Sequence, residues 1–225
     1  MIRDNLNHIL ETITQSARNS GRDPLEITLV AVSKLVDLAT IQEAVDCGHF
    51  VYGENYLQEA AEKIPHFPST IHWHFIGHLQ SNKAKQAVEL FDMVETVDRL
   101  KIAKALDHHA RLLNKNLSIL VQVNTGREAQ KSGVLPEDAE RLVRAIAQET
   151  TLQIRGLMTM PPWFPDPEVA RPYFKALRAL QDHLRGLTGL PLTELSMGMS
   201  GDFAVAVEEG ATLVRVGTAI FGGRG

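Results

Sequence analysis

Apolar residues along the chain gather in eight short runs. Between them lie longer segments in which apolar positions recur every three or four residues. The runs are ITLVAVSK (27–34), FVYGEN (50–55), IHWHFIG (71–77), MVETV (93–97), SILVQVN (118–124), IRGLMTM (154–160), TELSMGM (193–199) and LVRVGTAIF (213–221). Each reads as a strand. Leu100, Ala103, Leu106, Ala110 and Leu113 repeat with helical spacing, as do Phe174, Leu177, Leu180, Leu184 and Leu187. Pro136 followed by Glu137, Asp138 and Glu140 predicts a helix start, with proline first and acids in the opening turn. One more helix precedes the first strand: Ile2, Leu6, Ile9, Ile13 and Ala17 form its stripe, and Gly21 closes it.

Strands alternating with helices predict βαβ units and a parallel sheet. Eight of them point to an α/β fold, a single (β/α)8 TIM barrel with an additional N-terminal helix, an architecture that needs roughly 200–250 residues. The chain has 225. An open doubly wound sheet is the rival, but no GxGxxG follows the first strand. With no break in composition and no long linker, one domain over residues 1–225 is expected. The proline-rich MPPWFPDPEVARP (160–172) reads either as a surface loop or as a rim element over the barrel mouth, and Pro172 sets the next helix start near Arg171.

Composition narrows the function classes. A net charge of -4, 44% hydrophobic and 22% charged residues describe an ordinary soluble globular protein. The acidic balance gives no electrostatic case for nucleic acid or an anionic membrane as partner. No apolar run reaches membrane-spanning length, and MIRDNLNHILETITQ lacks the apolar stretch of a leader. The lone Cys47 excludes an intrachain disulfide and a cysteine-based zinc site. A cytoplasmic location is the expectation.

Candidate chemistry starts at Lys34, where an apolar run ends on an ammonium. Strand alternation puts Thr28, Val30, Val32 and Lys34 on one face, and a half-buried ammonium is costly unless paired. Either the side chain snorkels outward or it has a task. Sites in this fold lie at the C-terminal strand ends. There fall Lys34, Asn55, His74, His78, Asn124, Ser196–Gly201, Arg215, Gly217 and Thr218. Ser200 and Gly201 before a short helix ending at Gly210, with Gly217 and Thr218 after the last strand, suggest a phosphate grip in the loops that usually supply one. Simple glycine turns are the alternative. Asp202 would repel a phosphate, so it is expected to turn away and cap the helix. Opposite a phosphate, a lysine suits a Schiff base, either with an aldolase-like substrate or with pyridoxal 5′-phosphate (PLP). Arg215 needs an acceptor. That acceptor is a neighbouring acid or, if PLP binds, its pyridine nitrogen, which an arginine would leave unprotonated.

LVAVSK (29–34), YGENYLQE (52–59), WHFIGHLQSNK (73–83), QVNTGREAQKSG (122–133), GLMTMPP (156–162), ELSMGMSGDFAVAVEEGAT (194–212) and VRVGTAIFG (214–222) together resemble the pyridoxal phosphate homeostasis proteins, over nearly the whole chain. That family resembles the barrel domain of fold-type III PLP enzymes such as alanine racemase. The resemblance implies PLP covalently attached to Lys34 as a Schiff base and Asn55 against the ring. It implies Ser200, Gly201, Gly217 and Thr218 on the phosphate, and Arg215 facing the ring nitrogen. Family members often carry a proline shortly after the lysine, where this chain reads LVD. That difference bears on the next helix start rather than on the Schiff base.

Three readings compete. A PLP-binding protein without robust catalysis, acting in intracellular PLP (vitamin B6) and amino-acid homeostasis, fits best. An amino-acid racemase of fold-type III is the alternative. It needs an acid/base on each face of the substrate's α-carbon and a C-terminal β domain, for which the GRG (223–225) after the last strand leaves no room. Tyr52, Tyr56 and Tyr173 are the only tyrosines, and the first two are expected to pack locally. A metal hydrolase would rest on His72 and His74, an incomplete ligand set; His74 is expected to support the pocket wall. Met158, Met160, Met197 and Met199 are expected in the barrel core. The lack of a racemase-type second domain points to a monomer, with PLP and PLP-accepting apo-enzymes as the partners to expect.

Overall fold

The computed structural model describes residues 1–223. Eight parallel strands close in chain order into one barrel: β1 (Thr28–Val32), β2 (Val51–Glu54), β3 (His72–Phe75), β4 (Met93–Val97), β5 (Ser118–Gln122), β6 (Gln153–Met158), β7 (Glu194–Ser196) and β8 (Leu213–Val216). Pairing of β1 with β8 completes the ring, Val30 lying beside Arg215. The helices are α1 (Ile2–Asn19), α2 (Leu38–Asp46), α3 (Leu57–Lys63), α4 (Ala84–Leu90), α5 (Leu100–Leu112), α6 (Ala139–Glu149), α7 (Arg171–Thr188), α8 (Phe203–Glu208) and α9 (Thr218–Phe221). None of the described helices is long and apolar enough to cross a membrane.

The predicted TIM barrel with its extra N-terminal helix is the fold observed. On α1, Ile2, Leu6, Ile9, Ile13 and Ala17 are all buried, and the helix packs on α2, α8 and α9. There Asn5 Nδ2 donates to the Ile220 carbonyl at 2.8 Å. Pro172 stands in the first turn of α7, which starts at Arg171 as predicted. Two stripe positions fail: Leu113 and Leu187 are 48% and 43% exposed, the first just past the end of α5 and the second in the last turn of α7.

The strands are shorter than the apolar runs. β1 stops at Val32, so Lys34 sits in the turn beyond it rather than on the strand. The second half of LVRVGTAIF is not strand but α9. Ladder bonds end where neighbouring chains diverge into loops, and that divergence leaves no mark on apolarity. Inside the barrel a lower apolar layer of Val30, Leu120, Met158 and Leu213 stands apart from the larger core between sheet and helices. Above it the interior turns polar: His74, Glu95, Gln122, Ser196 and Arg215 are buried. Of the four methionines expected in the core, Met158 and Met197 are fully buried, whereas Met160 and Met199 line the mouth.

Gly77, just past β3, is needed for closure. A Cβ there would meet the Asn55 carbonyl oxygen at 2.0 Å, a backbone atom that cannot yield without pulling β2 from β3. Gly77→Ala is therefore expected to cost about 3 kcal/mol or more, read as a lowered urea midpoint with an unchanged slope.

Candidate functional site

A cavity of about 280 Å3 opens at the C-terminal end of the barrel. Lys34, Asn55, Ser200, Gly201, Arg215, Gly217 and Thr218 all line it, joined by Val32, Ile76, Met160, Met199 and Trp163. Residues scattered over 185 positions of sequence thus share one wall-to-wall space, because parallel strands deliver their C-terminal ends to one side. Of the other strand-end candidates, His78 belongs to a neighbouring cavity. Asn124 organises its own loop, its amide bonding the backbone of Glu128. Neither belongs to this lining.

Lys34 is half-buried at position two of a tight turn, Val36 N–H donating to the Ser33 carbonyl at 3.0 Å. Asn55 follows β2 directly, and its Oδ1 is buried with no hydrogen-bond partner among the described residues. Such an atom costs free energy until something satisfies it.

Across the cavity the Ser200 hydroxyl gathers three donors: Gly217 N–H at 3.3 Å, Thr218 Oγ1 at 3.4 Å and Ala219 N–H at 3.4 Å. All three bonds are long. The donors converge on a point where an anion oxygen would accept more strongly than a neutral hydroxyl. A Cβ on Gly201 would meet nothing within 4 Å, so the backbone leaves open space there. Gly217 has a different reason to be glycine: a Cβ would come within 3.2 Å of the Val32 carbonyl, where β8 presses on β1. Asp202 stands at the head of α8 but makes no cap. Its Oδ1 accepts the Met199 N–H at 2.6 Å, so the expected helix cap is replaced by a bond that folds the preceding loop. Burial pushes its carboxyl up, against the Met199 bond and the charge of Arg215.

Beneath the cavity floor runs a buried polar network. Arg215 Nη1 donates to Ser196 Oγ at 2.5 Å and Nη2 to the Thr159 carbonyl at 2.9 Å. Ser196 Oγ donates to Glu95 Oε2 at 2.5 Å, and Glu95 Oε1 meets His74 Nδ1 at 2.7 Å. Burial draws Arg215 below its usual value, while Glu95 and Asp202 hold it up; a guanidinium keeps its proton at neutral pH. Burial alone would raise Glu95. The hydrogen bond and charge of His74, the charge of Arg215 and the Ser196 bond outweigh it and hold the carboxyl below 4.5. Sequence reasoning missed Glu95. The available signal was a single acid inside a five-residue apolar strand. His74 does support the floor as expected, whereas His72 is exposed and faces Asp92 at 3.7 Å, so the two imidazoles serve different partners. Tyr52 is buried and donates to the His49 carbonyl at 3.2 Å, while Tyr56 is exposed.

Residues 4–225 match the model of the alanine racemase N-terminal domain. A pyridoxal phosphate homeostasis protein of Vibrio alginolyticus is 42% identical over 99% of this chain and 97% of its own length. This chain belongs to the pyridoxal phosphate homeostasis protein family. Among solved structures, PipY of Synechococcus elongatus PCC7942 with PLP bound is 36% identical, with a TM-score of 0.84 over 99% of this chain and 100% of PipY. An alanine racemase of Clostridium difficile 630, at 13% identity and TM-score 0.71, shares the barrel fold over 96% of this chain and 56% of its own.

The floor network makes a prediction. Glu95→Gln takes from the buried Arg215 the larger of its two counter-charges, so about 3 kcal/mol or more of stability is expected to go at neutral pH. Native Glu95 titrates below its ordinary 4.5. Its stabilisation is therefore present above that value and lost as pH falls through the lower native one. Urea titrations at about pH 7 and about pH 3 should show the gap between wild type and variant narrowing in acid. A gap independent of pH would assign the loss to packing instead.

Proposed function

We propose that this chain holds PLP as a Schiff base on Lys34 and takes part in intracellular PLP and amino-acid homeostasis, without robust catalysis of its own. One observation carries the reading. A single cavity brings together a primary amine, an unsatisfied amide, a convergent set of neutral anion donors and a permanently charged guanidinium. This donor set fits PLP: an aldehyde for the amine, a phosphate for the donors, and a heteroaromatic ring between apolar walls. PLP supplies an aldehyde that condenses with a primary amine, releasing one water, and a ring that draws electrons from it.

The residues divide the work. Lys34 supplies the amine. Ser200, Gly217 and Thr218, with the space left at Gly201, hold the phosphate by backbone and hydroxyl donors. Asn55 would lie against the ring, and Val32, Ile76 and Met199 would give it apolar walls. Arg215, fixed in place through Ser196, Glu95 and Thr159, would face the ring nitrogen and, as a guanidinium that keeps its own proton, would leave that atom unprotonated.

Weak catalysis follows from the same lining. Among the described residues, Lys34 and Arg215 are its only ionisable side chains. Racemisation needs a second acid/base opposite the first, and an arginine locked over an acid does not release its proton at neutral pH. The curated relatives being named for homeostasis supports the same reading. The domain is one PLP-binding barrel over residues 1–225, cytoplasmic and monomeric, offering PLP to apo-enzymes.

The deciding experiment is absorption spectroscopy with added PLP, followed by borohydride and peptide mass spectrometry. A near-visible band and a phosphopyridoxyl group on Lys34, both absent in Lys34→Ala, are expected. A colourless wild type that acquires no label would sink the reading. For the phosphate grip, Thr218→Val is expected to lower the preference for PLP over unphosphorylated pyridoxal by about fivefold, the worth of one hydroxyl bond. An unchanged ratio would move the phosphate elsewhere. Light scattering at twice the expected mass would overturn the monomer.

A further inference from the structure

Behind the barrel wall, on the side away from the cavity, lies a buried charge cluster that the cofactor reading does not use. Glu54, at the end of β2, is fully buried, and its partner Lys63 at the end of α3 is 7% exposed. Lys63 Nζ reaches Glu54 Oε1 at 3.2 Å and Glu59 Oε1 at 2.5 Å. Burying such a pair seldom repays its desolvation in stability, and Glu54 Oε2 has no partner among the described residues. Burial pushes the Glu54 carboxyl up, against Ser33 and Lys63, with Glu59 adding to the rise. Stability alone is a poor reason for this arrangement.

What the cluster grips is the turn that carries Lys34. Ser33 Oγ donates to Glu54 Oε1 at 2.7 Å. The Ser33 carbonyl accepts from Lys63 Nζ at 2.7 Å. On the far side of Lys34, the Leu35 N–H donates to Glu59 Oε1 at 2.5 Å. Every one of these bonds lands on a neighbour of Lys34. Leu35 adopts φ +60°, a left-handed conformation that a γ-branched residue takes up at a cost. The side chain of Leu35 is 66% exposed, so packing does not hold it there. The hydrogen bonds of Glu59 and Lys63 do.

We propose that Glu54, Glu59 and Lys63 are positioning residues that lock the Ser33–Val36 turn and so present the Lys34 amine to the cavity in one geometry. The proposal rests on the cofactor reading for the identity of the acceptor. It rests on the structure alone for the locking of the turn. Small errors in placing a reacting group are expensive, so the cluster raises the rate of capture rather than the stability of the fold.

The test uses the full chain in PLP-free form, well below its melting temperature, with Glu59→Ala and Lys63→Met. Amide hydrogen exchange across Ser33–Val36 is expected to quicken about tenfold in both. Borohydride-trapped label on Lys34 is expected to accumulate about tenfold more slowly. Lys63→Arg, which keeps the charge and donors, should recover most of both. Ile13→Ala on α1 loses core packing far from the turn and serves as the comparator; it should leave capture at the wild-type rate. Wild-type exchange and capture in both cluster variants would overturn the proposal, as would equal slowing by Ile13→Ala. A wild type that never acquires label overturns the cofactor reading instead, and the exchange data then judge the turn by itself.

Discussion

A guanidinium sealed inside a barrel has to be balanced, and much of this structure follows from that need. Arg215 is 3% exposed in the barrel interior. An uncompensated charge there would cost several kcal/mol. Three strands answer it: β4 brings Glu95, β7 brings Ser196, and the Thr159 carbonyl follows β6. β3 adds His74 behind Glu95. Because strand side chains alternate, each of these residues can face inward only if its strand keeps its register. Polar pairing therefore pins the register of half the barrel. Below it, Val30, Leu120, Met158 and Leu213 fill the lower interior with carbon alone. The interior is thus divided into an apolar plug and a polar floor, and the cavity stands on the floor.

The second buried charge cluster lies on the opposite side of the same wall. Glu54 pairs in register with Phe75 on the outward face of β2, whereas Arg215 points inward from β8. The two clusters meet the cavity from different directions, one below it at Arg215 and one behind it at Lys34. Ordinary loops after barrel strands are free to vary. Here two hydrogen-bonded anchors remove that freedom beside the amine and at the guanidinium, while the donors gathered at Ser200 between them are neutral and at long distances. Rigid ends and a soft middle suit a site that admits a ligand and lets it go.

How much of this was legible in the sequence depends on what sets each feature. The barrel was, because eight apolar runs alternating with helical spacing leave few other topologies. The gathering of Lys34, Asn55, Ser200, Gly201, Arg215, Gly217 and Thr218 around one cavity was legible too, because parallel strands put the ends of their runs on one side. Strand ends were not: the apolar run that begins β8 continues into α9 after the ladder has stopped. Glu95 was visible as an acid in MVETV, but its partners come from β3, β7 and β8, and no local pattern announces them. Lys63 is harder still. On a short helix beside Glu59 it reads as a solvated pair at the usual four-residue spacing, and only the closure of β1 against β2 turns that pair inward. Asp202 shows the opposite error, where a local rule predicted a cap and the loop took the carboxylate instead.

The mouth carries one more consequence of these constraints. Trp163 is 77% exposed yet lines the cavity, on a loop held at both sides: Lys131 Nζ donates to the Pro161 carbonyl at 3.0 Å, and Phe164 stacks on Tyr173 of α7 at 5.8 Å. Prolines at 161, 162, 165 and 167 stiffen the same stretch. An indole held in water is unfavourable by its apolar area, and so many restraints leave it little chance to collapse elsewhere. An indole fixed beside the opening narrows the way in without closing it. An amine on a braced turn, an arginine on a charged floor and a half-walled entrance would hold a ligand in place while leaving water near it. Chemistry on an amino acid gains from excluding that water. Keeping a reactive aldehyde attached and retrievable does not require it.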